Sequence, residues 1–273
     1  MSRAPSVPVS VFAWSNGRAG RKSRAVPAEV PVAFVYDGTA EAVMMATPAD
    51  LEDFATGFSL NERVVQSRSD LSAVSINSGA SGIEVRIALD VEAGRVHAAR
   101  RRRRVGPVGC GLCGIESLAD ALPALPKVSA HLRLTPEAIM AATRAMAPLQ
   151  VLNAETRAVH AAAFLVLGEG IVALREDVGR HNALDKLAGA LARAGRSAAS
   201  GAILMTSRLS VELVQKAAVM GAGVLAAISV PTALAIAEAE KAGITLCGIV
   251  RDDGLEIFTH PQRMQIEAPA DAR

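Results

Sequence analysis

The chain has 273 residues, 51% hydrophobic, 21% charged and only 3% aromatic, a mixture that excludes a disordered polymer and suits one large or two modest domains. A net charge of +2 implies no general affinity for nucleic acid, and three cysteines make no disulfide framework. No stretch reaches the roughly 18 apolar residues of a membrane span.

Residues 1–30 are rich in Arg, Ser, Ala and Pro and read as a flexible N-terminal arm without the apolar stretch of a secretory leader. A reducing, cytoplasmic setting is therefore expected. Pro31 to Tyr36 and Glu41 to Ala46 read as strands joined by Asp37-Gly38, a strong hairpin signal. Thr47-Pro48 is expected to open a helix with Thr47 as N-cap, and Leu51, Phe54, Ala55 and Phe58 form its apolar stripe. Val74 to Ile76 and Ile83 to Leu89 are further strands. Residues 31–125 thus form a small α+β domain that ends in a loop carrying five arginines, Arg100 to Arg104, and then Cys110-Gly-Leu-Cys113-Gly.

Residues 126–273 follow a different rhythm. Thr135-Pro136-Glu137 starts a helix, and Phe164 to Leu167 and Ile171 to Arg175 flank a Gly-Glu-Gly hairpin. A helix over His181 to Ala194 stops at Gly195. Strands at 202–205, 224–228 and 244–250 then alternate with helices at 210–220 and 232–241. This is a layered α/β domain with a largely parallel core, whose binding site is expected at the carboxyl ends of the strands.

The Cys110/Cys113 pair carries the sharpest chemistry. Neighbouring positive charge favours thiolate over thiol, and the thiolate attacks sulfur, carbon or a metal. Cys247, in an apolar run, reads as a buried strand residue. Glu176-Asp177-Val178-Gly179-Arg180-His181-Asn182 crowds polar groups where a strand hands over to a helix, a place that suits anions or simply a cap. Thr206-Ser207-Arg208-Leu209-Ser210 repeats the arrangement, and hydroxyls with an arginine suit phosphate. At Ser229-Val230-Pro231-Thr232 capping alone suffices. Arg251-Asp252-Asp253-Gly254 ends the last parallel strand, either as a nucleotide contact or as a turn.

Taken together, Cys-Gly-x-Cys-Gly, Asp-Val-Gly-Arg-His-Asn-Ala-x-Asp-Lys at 177–186 and Ser-Arg-x-Ser-x-Glu-x-Val-Gln-Lys-Ala at 207–217 resemble the FdhD family. So do Thr47-Pro48-Ala49-Asp50-Leu51-Glu52 and Ser229-Val230-Pro231-Thr232. The resemblance spans residues 30 to 262 and leaves the first 30 outside. It implies a sulfurtransferase that accepts persulfide sulfur from a cysteine desulfurase and passes it to the molybdenum (or tungsten) bis-guanine dinucleotide cofactor for formate dehydrogenase. Cys110 would then be the persulfide carrier and Cys113 its partner or relay. Ile249, Val250, Arg251, Asp252, Asp253 and Gly254 would form the cofactor segment. Arg180, His181, Ser207 and Arg208 are further candidates from the strand-to-helix turns. The resemblance also implies a cytidine deaminase-like second domain with three layers, and a homodimer.

Competing readings fare worse. A zinc deaminase needs a glutamate two residues after its first ligand, and His181 is followed by Asn182 and Ala183. One Cys-x-x-Cys without paired His or Cys is a weak metal signal, so no metal site is expected. Thioredoxin-like chemistry places the motif after an apolar strand, and residues 100–109 read as loop. A cofactor-holding chaperone without catalysis is the alternative that the residues leave open.

Overall fold

The computed structural model describes residues 3–101 and 123–266 and forms two compact units. One comprises Met1–Pro123, Gln150–His160 and Arg175–Arg193; the other comprises Ala124–Leu149, Ala161–Leu174 and Ala194–Arg273. Both are mixed α/β structures, in keeping with the expected class.

The first unit opens with a correction. The segment expected as a flexible arm holds β1 (Ser6–Ser15) and β2 (Arg18–Pro27), an antiparallel pair in unbroken register from Ser6↔Pro27 to Ser15↔Arg18. Asn16 and Gly17 form the turn with φ of 51° and 76°, the left-handed pair that tight hairpins require. Next comes a four-stranded sheet in the order β4-β3-β6-β5, built from β3 (Val30–Tyr36), β4 (Thr39–Ala46), β5 (Leu71–Ser78) and β6 (Ile83–Leu89). Alternation along β3 and β6 turns Val32, Phe34, Val85 and Ile87 onto one face. There they meet α1 (Leu51–Asn61) through Phe54 and Phe58, and Phe34 stacks on Phe58 with ring centroids 4.4 Å apart.

Two expectations for this unit fail locally. Thr47 is not the N-cap of α1; that position is Asp50, in a left-handed conformation without a side-chain cap bond. Thr47 is wholly buried and spends its polar atoms on partners far along the chain, described below. The stretch before the cysteines is also not all loop. Helix α2 (Val91–Arg101) includes Arg100 and Arg101, and the Asp90 side chain accepts the N–H of Ala93 at its start.

The strongest packing in the first unit joins α1 to α5 (Arg180–Arg193). Their backbones nearly touch. A Cβ on Gly57 would overlap the Asp185 carbonyl and lie 2.6 Å from Gly189 N, and one on Gly189 would overlap the Asp53 carbonyl. Around this crossing, buried Asp53 accepts Arg175 Nη2 at 2.7 Å and Arg193 Nη1 at 2.6 Å, and Asn61 Nδ2 donates to Asp185 at 2.7 Å.

The second unit is built on a six-stranded sheet in the order β12-β11-β10-β9-β7-β8. Its strands are β7 (His160–Val166), β8 (Gly170–Asp177), β9 (Ala202–Met205), β10 (Val224–Ala227), β11 (Thr245–Gly248) and β12 (Glu256–Ile257). Only the centre is parallel. β9, β10 and β11 run together, while β7 pairs with β9 and β12 with β11 antiparallel. All twelve residues of those central strands are buried, the continuous apolar run expected of strands covered on both faces. Helix α3 (Pro136–Met146) contributes Ile139, Ala142 and Met146 to one core with Ala161, Ala163, Leu204 and Ala226. Its start is as expected, with the Thr135 hydroxyl accepting Ala138 N–H at 3.2 Å. Helices α6 (Val211–Met220) and α7 (Ala233–Ala242) pack together and bury Leu213, Val214, Ala217, Ala235 and Ala239.

Candidate functional site

In the first unit, Asp177 at the end of β8 is the hub of a polar network with the buried side chains of Thr47, Asn182 and Lys186. Its Oδ2 accepts Thr47 N–H at 3.0 Å and lies 2.7 Å from Lys186 Nζ. Its Oδ1 accepts Gly179 N–H at 2.8 Å and Asn182 Nδ2 at 2.9 Å. Lys186 also donates to the Thr47 carbonyl at 3.0 Å, Asn182 to the Met45 carbonyl at 2.8 Å, and Val178 N–H to Thr47 Oγ1 at 3.1 Å. A buried ion pair survives only when its remaining hydrogen-bonding capacity is satisfied in this way. Glu176 turns inward too, accepting Leu152 and Asn153 N–H at 2.8 Å each at the start of α4 (Val151–Thr156).

This network redistributes the roles in the 176–186 motif. The Asp177 carboxylate lies just before α5, held by Gly179 N–H and the Asn182 side chain. Asn182 and Lys186, one turn apart on one face of α5, belong to the motif yet had no individual role in the sequence. Their spacing of four, after an aspartate at a strand end, was the available signal. Arg180 and His181 remain half-buried at the first turn of α5. Nearby His160 is held below the ordinary imidazole range, first by burial and then by the Arg180 charge.

In the second unit the loops after β9, β10 and β11 are stitched side by side. Leu209 N–H donates to Val230 O at 3.3 Å, Thr232 N–H to Leu209 O at 3.0 Å, and Ile249 N–H to Ser229 O at 3.3 Å. Ser207 and Arg208 after β9, and Ile249, Val250, Arg251, Asp252, Asp253 and Gly254 after β11, therefore lie at the same carboxyl end of the parallel strands, on either side of the loop after β10. Ser207 is buried, with its hydroxyl on the Arg208 carbonyl at 3.0 Å, and the Arg208 side chain is exposed. Arg251 closes a tight turn through its N–H to Gly254 O at 2.8 Å, and its guanidinium donates to the carbonyls of Ile228 and Val250. Asp252 and Asp253 face solvent, and Asp252 lies 3.7 Å from Arg144 Nη1.

Ile249 is the unusual member. Its φ of 50° is left-handed, a region that a β-branched side chain enters at a cost of about 1–3 kcal/mol. Strain of this size, retained in the loop where arginines and carboxylates converge, is typical of segments shaped for a ligand. By contrast, the turn at 229–232 is explained by capping, since Thr232 Oγ1 accepts Ala235 N–H at 3.2 Å.

Cys110, Cys113 and Arg102 to Arg104 lie outside the described residues. Cys247 is buried in β11, and burial pushes its thiol up to about 12, which makes it a poor nucleophile. Among the described residues no three His, Cys, Asp or Glu side chains are placed to hold a metal ion. No helix among them is long and apolar enough to cross a membrane.

Comparison with known proteins agrees across sequence and fold. The model of the FdhD/NarQ family matches residues 27–265. A protein of Agrobacterium fabrum named sulfur carrier protein FdhD is 53% identical over 258 residues, covering 94% of this chain and 95% of its own. One of the same name from Cupriavidus necator is 48% identical, covering 95% and 90%. A crystal structure from Desulfotalea psychrophila, described as a candidate formate dehydrogenase accessory protein, superposes with a TM-score of 0.77 at 22% identity. It covers 96% of this chain and all of that one. With the family model spanning nearly the whole described chain, and half the residues shared with close relatives end to end, this protein belongs to the FdhD/NarQ family.

Proposed function

We propose that the protein is a sulfur carrier that moves persulfide sulfur from a cysteine desulfurase to the molybdenum bis-guanine dinucleotide cofactor of a formate dehydrogenase. One observation carries this reading: relatives named as sulfur carriers share half their residues with the chain over nearly its full length, and the chain has two vicinal cysteines available for the work. Cys247 is disqualified by burial, which leaves Cys110 and Cys113 as the thiols that could carry sulfur.

The chemistry follows from thiol–disulfide exchange. Cys110 thiolate attacks the outer sulfur of the desulfurase persulfide. The new S–S bond forms as the old one breaks, and the desulfurase cysteine leaves as thiolate. Release as sulfide needs two electrons, which Cys113 thiolate can supply by attacking Cys110. This expels hydrosulfide, which takes up one proton, and leaves a Cys110–Cys113 disulfide for an external dithiol to reduce.

The strand-end loops of the second unit suit the receiving substrate. A bis-dinucleotide carries phosphates that Arg208 and Arg251 would bind, and guanines whose N1–H and N2–H₂ groups a carboxylate at Asp252 or Asp253 would accept. The same reading makes the second unit deaminase-like and the protein a cytoplasmic homodimer.

The deciding experiment is peptide mass spectrometry after incubation with a cysteine desulfurase and free cysteine. Cyanide-labile sulfur on Cys110, discharged when the molybdenum cofactor is added, is the expected result. Sulfur on neither Cys110 nor Cys113 would overturn the carrier role and favour a cofactor-holding chaperone.

A further inference from the structure

The turn after β11 carries two adjacent carboxylates, and its surroundings treat them differently. Arg251 N–H donates to Gly254 O at 2.8 Å, which leaves Asp252 and Asp253 at the tip of the turn. The turn is braced from behind. The Arg251 guanidinium donates to the carbonyls of Ile228 and Val250, and Val250 N–H donates to Ala227 O at 3.1 Å. Neither of these bonds touches the two acids.

Helix α3 reaches the tip from a different part of the chain. Ile139, Ala142 and Met146 hold α3 in one core with Cys247 and Val250. Arg144, in the last turn of α3, stands outside that apolar stripe, and its Nη1 lies 3.7 Å from Asp252 Oδ1. Asp253 has no ion-pair partner among the described residues. At 3.7 Å the Arg144–Asp252 contact is an ion pair without a hydrogen bond, so the carboxylate keeps its acceptor sites. Both side chains are exposed, and such a pair adds little to stability. Its effect is on position. An arginine rooted in a packed helix restricts where a carboxylate at a turn tip can point, and that lowers the ordering cost of a ligand contact.

The contact so prepared is selective. An ionised carboxylate offers two acceptor oxygens side by side. Guanine presents two donors on one edge, N1–H and N2–H₂, whereas adenine presents an acceptor at N1. A fixed carboxylate therefore binds the first base and repels the second.

We propose that Arg144 is the positioning residue for Asp252, and that Asp252, so held, is the carboxylate that selects guanine over adenine at the strand-end loops. That role rests on the reading that these loops take a guanine nucleotide. Arg144 lies outside every motif that carries the family resemblance.

The test is isothermal titration of the full chain with guanosine diphosphate and with adenosine diphosphate, read as the ratio of the two affinities. The wild-type chain is expected to prefer guanosine diphosphate about tenfold or more. Asp252→Asn should bring the ratio close to one, and Arg144→Ala should produce most of that fall. Arg144→Lys should restore part of the preference, and Arg144→Ala/Asp252→Asn should be no worse than Asp252→Asn alone. Arg208→Ala gives the contrast, weakening both nucleotides alike. Melting temperatures verify that each variant is folded. A preference that survives Arg144→Ala, including equal weakening of both nucleotides as loss of a phosphate contact would give, overturns the role of Arg144. Loss of the preference in Asp253→Asn but not in Asp252→Asn overturns the choice of carboxylate. A wild-type chain that binds neither nucleotide, or both equally, overturns the placement of a guanine nucleotide at these loops and the role of Arg144 with it.

Discussion

Lys186 Nζ lies 2.7 Å from the Asp177 carboxylate, and both side chains are fully removed from water. Asp177 ends a strand and Lys186 lies within the next helix, so the pair clamps that junction from inside. Thr47, 130 residues earlier, completes it with its N–H on the carboxylate. The fingerprint that places this chain in its family is therefore, in large part, a record of how its first unit is held together.

Removing one partner should be far worse than removing both. Lys186→Met strands a buried carboxylate and is expected to cost about 3–5 kcal/mol. Adding Asp177→Asn to Lys186→Met should recover part of that loss, since the amide is neutral and its oxygen still accepts Thr47 or Gly179 N–H. Urea midpoints of the two singles and the double provide the cycle.

The α1–α5 crossing leaves no room for a methyl group. Gly57→Ala drives a Cβ into the Asp185 carbonyl. The helices must separate, at an expected cost of about 3 kcal/mol or more. Gly20→Ala, where a Cβ meets nothing within 4 Å, is the control. Circular dichroism melts of the two should differ clearly, with only Gly57→Ala shifted downward.

The strand-end loops make a separate prediction. Arg208 is exposed and Arg251 is fixed over the carbonyls of Ile228 and Val250. A charge-assisted contact to phosphate contributes about 1.5–3 kcal/mol, so Arg208→Ala should weaken guanosine diphosphate binding about tenfold or more. Isothermal titration gives the answer, and an unchanged affinity removes Arg208 from the site.

His160 sets a pH dependence whose sign follows from its lowered pKa. The unfolded chain takes a proton near the ordinary value of 6.5, and the folded chain takes it only at lower pH. The stability that His160 contributes is therefore complete above about 6.5 and falls as the pH drops below it. Denaturation midpoints between pH 5 and 8 should rise with pH, and His160→Gln should flatten part of that slope.

How much of this was legible from sequence varies with how local the cause is. Thr135 and Thr232 cap the helices they precede, and Asp37-Gly38 turns between β3 and β4, because each feature is decided by neighbours. The alternation from β9 to β11 was readable for the same reason, as every central residue is buried. Thr47 has the local appearance of a cap, and its burial beneath Asp177 depends on residues 130 positions away that no window contains. The Asn16-Gly17 hairpin follows the alternating Val7, Val9 and Val11, but the Arg- and Ser-rich composition around it points toward disorder. At the candidate site, the loops after the parallel strands follow from the strand periodicity. The left-handed Ile249 has no signal in its own residue type, because β-branched residues normally avoid that conformation.

The first unit is assembled from three stretches of chain, and its helix α5 closes only with Arg193. As the protein leaves the ribosome, the sheet and α1 are finished long before the helix that covers Gly57, Asn61 and Asp53. Until about 130 further residues have been made, that helix presents an uncovered face with a carboxylate waiting for two arginines. Synthesis order therefore makes the nascent amino-terminal half a client for chaperones. Gly189→Ala, which drives a Cβ into the Asp53 carbonyl and hinders the docking of α5, should lower both the yield of soluble protein in the cell and the melting temperature.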